Sequence, residues 1–242
     1  MSELNTHPSA TWVESLYFVV QPVMAVEAAP KQASVAFYEL LLRNKETQRF
    51  PNYFLDKIQE RHGNAEFLYF AETQLMALFK QYPGVKFSLN FESCQWQFPE
   101  TAVFFDNMKA YNDLLMIELT ERIYNMDDFD HLEEAFSMMH DLQYQVLLDD
   151  ISTGQNNIQV LFKHIHELCG VKFSKHPFLN IADDVMMPFL EAYVNVCSKA
   201  NLMFVIEEIE NCKAAKVFLD KGMFFQQGWY WSKPMHLSQI SS

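Results

Sequence analysis

Two adjacent acids close an apolar run in the stretch VLLDDISTG, Val146 to Gly154. Comparable runs elsewhere also end on polar groups. Ala33 to Arg43 carries Glu39 and then Arg43, and Val85 to Asn90 ends on Asn90 itself. Leu114 to Glu121 carries Glu118 and Glu121, Gly170 to Lys175 carries Lys172, and Leu202 onward carries Glu207 and Glu210. Met223 to Trp231 carries Gln227. A carboxylate taken out of water without a partner costs several kcal/mol. Several at one place repel each other unless cations neutralise them. Oxygen sets of Asp, Glu and Asn are what Mg²⁺, Mn²⁺ and Ca²⁺ prefer. Two neighbouring Asp, one able to bridge, suit two ions about 3.5–4 Å apart, an arrangement used for phosphoester cleavage. The expectation is that divalent ions hold Asp149 and Asp150 together.

The elements that must position these groups follow from the same runs. Each is rich in β-branched or aromatic residues and of strand length. With SLYFVVQPV, from Ser15, there are eight of them in 242 residues. Between them lie helical patterns: Ala65–Tyr82, Asp127–Leu142, Asn156–Leu168, Asp183–Ala200 and Cys212–Gly222. Pro188 interrupts the fourth. Alternating strands and helices predict a (β/α)8 barrel, whose active site sits at the C-terminal strand ends. The rival is an open doubly wound sheet, but its phosphate-binding glycine motifs are absent. His164 and His166 are expected on the surface of a helix, and the 13 Met in the core.

The net charge of −13 argues against non-specific duplex DNA binding. An anionic ligand would need positive charge interposed, which again points to a divalent metal. No apolar run reaches membrane-spanning length and the N-terminus lacks a signal-peptide pattern, so a cytoplasmic location is expected. The four Cys form no CxxC and read as reduced thiols.

The ordered set resembles the EAL domain, the bacterial phosphodiesterase of cyclic di-GMP. YELLLR, Tyr38 to Arg43, is similar to the signature that names the family, with Leu40 where Ala is usual. FSLN, IELTE, LDDISTG, VKFSK, IEEIEN and QQGWYWSKP follow in the family's order, from about Val19 to Pro234. The resemblance implies a modified TIM-like barrel with an antiparallel first strand, and a homodimer. It implies that Glu39, Asn90, Glu118 and Asp149 bind one Mg²⁺ or Mn²⁺ ion, with Asp149 bridging to a second. Asp150 and Glu207 would stand at that second ion. Lys172 would orient or activate water, and Gln227 would support the network. Arg43 would contact a phosphate, Gln21 the nucleotide, and Glu121 would steady the loop after Asp150.

This chain departs from the family pattern at Ile151, Ser152 and Gln155 to Asn157, at Ser174 in place of Asp, and at Glu208 in place of Gly. One barrel domain, 15–242, is expected behind an N-terminal extension, 1–14, with any sensory input coming from outside it. The expected function is hydrolysis of cyclic di-GMP to linear pGpG. The alternative is a weak or inactive module that binds cyclic di-GMP or a regulatory protein partner. Without the resemblance, a Mg²⁺ enzyme abstracting a proton from a carboxylate substrate, with Lys172 as base, is a third reading.

Overall fold

A computed structural model describes residues 11–27, 32–122, 128–151, 153–154, 156–175, 178 and 181–240. All eight predicted strands form: β1 Leu16–Val26, β2 Ala33–Asn44, β3 Phe87–Phe91, β4 Leu115–Leu119, β5 Gln145–Leu148, β6 Gly170–Phe173, β7 Met203–Ile206 and β8 Phe225–Gln226. They pair in the order β2-β3-β4-β5-β6-β7-β8-β1, and β1 returns to β2, so the sheet closes. β2 through β8 run parallel, whereas β1 is antiparallel to both neighbours. The cause is local. Only residues 27–32 join β1 to β2, too few for a crossover, so the chain can only fold back as a hairpin. A two-residue β9, Met235–His236, adds to the edge of β1.

The helices are α1 Phe54–Ile58, α2 Arg61–Gln81, α3 Pro99–Met108, α4 Asp128–Asp141, α5 Ile158–Lys163, α6 Asp183–Ala200 and α7 Cys212–Asp220. The sequence periodicity did not separate α3 from its surroundings. It opens on Pro99, whose missing N–H costs nothing there, and buries Thr101, Phe104, Phe105 and Met108. α6 runs through Pro188, giving up the hydrogen bond that its N–H would have made. α5 is shorter than predicted and stops before His164. Asp127 lies outside the described residues.

His164 corrects the surface expectation. It is buried, stacked on Phe136 with ring centres 3.8 Å apart. One ring nitrogen faces Glu133 at 3.0 Å and the other Glu167 at 2.5 Å.

Two apolar clusters fix the site. The larger lies between the barrel wall and the helices. The smaller plugs the barrel interior with Val23, Phe37, Met116, Leu147 and Val205, and Phe225 packs against it. Side chains on one face of a strand recur every two residues. Two positions further towards the strand C-termini, the same inward face presents Glu39, Glu118, Asp149, Glu207 and Gln227. On the reversed β1 the step runs backwards, from Val23 to Gln21. The apolar plug is thus a floor, and the polar layer stands on it.

Candidate metal and active site

Register brings the polar layer together. Gln21 is opposite Glu39 on β1 and β2, and Asn90 is beside Glu118 on β3 and β4. Lys172, on β6, is 1% exposed and reaches the centre. Its Nζ lies 2.8 Å from Glu118 Oε2, 2.9 Å from Glu207 Oε1, 3.1 Å from Glu39 Oε2 and 3.1 Å from Asp149 Oδ1. Glu39 also accepts hydrogen bonds from Asn90 Nδ2 at 3.1 Å and Gln227 Nε2 at 2.8 Å. At this burial the ammonium does not reach solvent.

The adjacency of Asp149 and Asp150 has a backbone solution. β5 ends at Leu148, and Asp150 takes a left-handed φ of 45°. The chain turns there, so the second acid faces the same side as the first rather than the opposite one. Carboxylate oxygens of Glu121, Asp149 and Asp150 come within 4.8 Å of one another. Glu121, whose implied role was loop support, is therefore also placed as a potential ligand.

The loop is pinned from behind. Ile151 N–H donates to Lys172 O at 2.9 Å. The buried Asn156 amide donates to Leu119 O at 2.7 Å and to Asp149 O at 2.6 Å. Gly154 packs so closely on Glu121 that a Cβ would lie 1.9 Å from its carbonyl oxygen. Ser152 and Gln155 lie outside the described residues.

One ammonium cannot neutralise every acid it touches. Burial pushes Glu118 well above the usual carboxylate range, and Glu39 pushes it further. Burial lifts Glu207 to about 8 against the pull of Lys172. Burial, then Asp149 and Glu121, lift Asp150 to about 6. Burial also opposes ionisation of Glu39, but Lys172, Gln227 and Asn90 outweigh it and its pKa falls. Burial likewise disfavours the Lys172 cation, but Asp149, Glu118, Glu207 and Glu39 hold it well above the usual range. Among the described residues Glu118 Oε1, Asp150 Oδ1 and Gln227 Oε1 are buried without a hydrogen-bond partner, and Asp149 Oδ1 has its charge contact with Lys172 but no hydrogen bond. Bare oxygens in an acid-rich cluster fit divalent cations.

The cluster opens into a cleft of about 430 Å³ lined by Gln21, Asp150, Glu208, Glu210, Gly228 and Trp229 among others. Gln21 donates to Ser232 O at 3.0 Å on its rim. Arg43 is not in this cleft. It lies in a side chamber of about 210 Å³ that shares Glu39 and Asp149 and also contains Arg122 and Asn90. Arg122, held 2.5 Å from the buried Glu92, and the exposed Trp229 were not singled out from the sequence. The aromatic-rich QQGWYW run was the only hint of Trp229.

A sequence profile of the EAL domain matches residues 11–234. Over 136 residues the chain is 23% identical to the "Probable cyclic di-GMP phosphodiesterase PdeN" of Escherichia coli K12, covering 55% of this chain and 25% of that one. It thus spans about a quarter of that relative. The stand-alone EAL protein of Vibrio cholerae O395, in its cyclic di-GMP-bound form, superposes with a TM-score of 0.68 at 20% identity, covering 92% of this chain and 93% of that one. The calcium and cyclic di-GMP complex of Klebsiella pneumoniae BlrP1 gives 0.75 at 19%, covering 91% and 56%. At these identities the structural likeness establishes the fold.

Proposed function

The chain belongs to the EAL domain family, and from that premise we propose that it is a phosphodiesterase opening cyclic di-GMP to linear pGpG. The observation that carries the reading is the polar layer itself: carboxylates from β2, β4, β5 and β7 meet at one lysine with several oxygens left bare. A pure interaction surface has no physical need for such a cluster.

Glu39, Asn90, Glu118, Asp149, Asp150 and Glu207 would hold two divalent ions, Mg²⁺ or Mn²⁺, with Glu121 in reach. That BlrP1, which shares the fold, forms complexes containing calcium or manganese together with cyclic di-GMP supports a divalent cation here. Such ions, when bound, supply Lewis acidity at a phosphodiester and make water a stronger acid. The chain's own groups do the rest. Lys172 keeps the acids in register and would help orient or activate the attacking water. Glu207, which as an ion ligand would stay ionised, would share with Lys172 the management of proton and charge at the reacting group. Gln227 and Asn90 fix the Glu39 carboxylate. Arg43, from the side chamber, would contact a phosphate, and Gln21, at the rim, the nucleotide. The test is incubation with cyclic di-GMP and Mg²⁺ or Mn²⁺, following pGpG by chromatography, beside Glu39→Ala and Asp149→Asn. Wild type no faster than both variants rejects the reading.

One observation favours the second reading, a binding module without turnover. Lys172 already satisfies four carboxylates, and an arriving cation must share them. Tight cyclic di-GMP binding by calorimetry with no linear product would select it. The implied homodimer has one supporting feature, the exposed Phe162, Val185 and Phe189 on α5 and α6. Sedimentation tests it. Among the described residues no helix is long and apolar enough to cross a membrane.

A further inference from the structure

The side chamber carries groups that the proposed chemistry uses only in part. Arg43 and Arg122 both line it, beside Glu39 and Asp149 of the cation cluster. Much of the remaining wall is apolar, with Phe18, Leu42, Phe54 and Phe67. Glu92, 3% exposed, divides its carboxylate between two donors. Its Oε1 accepts from Arg122 Nη1 at 2.5 Å and its Oε2 from Thr120 Oγ1 at 2.7 Å. Behind it a buried chain of hydrogen bonds runs back to α2. Glu92 N–H donates to Gln95 Oε1 at 3.0 Å, and Gln95 Nε2 donates to Asn64 Oδ1 at 2.8 Å. Glu92 is thus a fixed post, and the guanidinium it grips keeps one orientation. About half of the Arg122 side chain, 45%, is exposed. Arg43 is half-buried and donates to Leu42 O at 2.8 Å. Glu39 and Asp149 are already engaged by Lys172, so the two guanidiniums face Glu92 as the chamber's own carboxylate.

We propose that Arg43 and Arg122, the latter aimed by Glu92, hold the terminal phosphate of the linear product once the ring is opened. The inference rests on reading the adjoining cluster as the place where a phosphodiester is cleaved. In that step the oxygen of water bonds to phosphorus, one sugar oxygen leaves, and the protons of water are shared between them and the medium. The diester carries one negative charge. The monoester it becomes carries close to two at neutral pH, on three terminal oxygens. The new group forms beside Glu39 and Asp149, which the chamber shares with the cluster. A guanidinium is a planar fork that matches two phosphate oxygens at once. Two forks suit the three oxygens of a monoester, which a diester lacks. Apolar walls screen such contacts less than water does, and a donor already fixed in place loses little freedom on binding. The chamber therefore favours the product over the substrate, and the product should leave slowly.

The experiment compares pGpG with GpG, which differs from it only by the terminal phosphate, binding in Ca²⁺ by calorimetry, with cyclic di-GMP as reference. Wild type is expected to bind pGpG at least about tenfold more tightly than GpG. Arg122→Gln is expected to remove most of that ratio. Arg122→Lys keeps the charge but not the fork, and is expected to retain only part of it. Glu92→Gln leaves Arg122 in the chain but weakens the grip on it, and is expected to lower the ratio by roughly threefold or more. Because the readout is a ratio between two ligands, a general loss of packing does not move it, and melting curves establish that each variant folds. A wild-type ratio near one overturns the inference alone. So does a ratio unchanged in both Arg122 variants, since the phosphate would then rest on the cations. Binding of neither cyclic di-GMP nor pGpG overturns the proposed function and this inference with it.

Discussion

Lys172 Nζ lies 2.8 Å from Glu118 Oε2, at the centre of the barrel mouth, and both side chains are almost wholly buried. The pair is the hub of the site. The lysine holds acids from four strands in place, and its single charge leaves the cluster short of cations.

Replacing Lys172 by Met should therefore destabilise the metal-free protein by about 3–5 kcal/mol, because four buried acids lose the cation they touch. Thermal melts in chelator should show the drop, and added Mn²⁺ should recover part of it. Identical melting in chelator for wild type and variant would contradict the role given to the lysine.

Metal-free stability should fall as pH rises. Glu207 is lifted from an ordinary 4.5 to about 8, and Asp150 from 3.8 to about 6. Between those limits the folded chain binds more protons than the unfolded one, so each unit of pH removes stability, at most about 1.4 kcal/mol per group. The loss from Asp150 should be complete near pH 6 and that from Glu207 near pH 8. Saturating Mn²⁺ should flatten the profile. Denaturant titrations between pH 5 and 9 measure it, and a flat metal-free profile would count against the buried acids.

Glu208 holds a left-handed φ of 58°, a region costly to any residue with a Cβ. It also stands near enough to Asp150 to raise its pKa. Glu208→Gly should stabilise the metal-free protein by about 1 kcal/mol, or roughly 2–4 °C in melting temperature. An unchanged or lower melting temperature would show that the side chain has a compensating partner.

His164→Ala should cost about 1–3 kcal/mol, since it removes the stack on Phe136 and the contacts to Glu133 and Glu167. His164→Phe, which keeps the stack, should cost less. Equal losses in chemical denaturation would mean that the ring contact contributes little.

The strands were legible because each is a β-branched or aromatic run, and the order of their polar ends pointed to one mouth. α3 was not, since PETAVFFDNM is short and lies in a stretch whose periodicity is broken by its neighbours. His164 was misjudged because helical spacing was extended past Lys163, where the helix actually stops. Burial of a histidine depends on what packs over it, here Phe136 on α4, 28 residues earlier in the chain, which no local rule supplies.

The sequence by itself determined which residues could form the site, because side-chain chemistry and the two-residue repeat of strands are local properties. The antiparallel start was implied by the family resemblance, and the strand bounds in the structure give its cause, a connection too short to cross over. Only the tertiary structure decided that Lys172 stands between four acids, that Asp150 turns to join Asp149, and that Arg43 sits in a chamber of its own. Those depend on strand register and on one left-handed backbone angle, which are set by packing around the whole closed sheet rather than by any single segment.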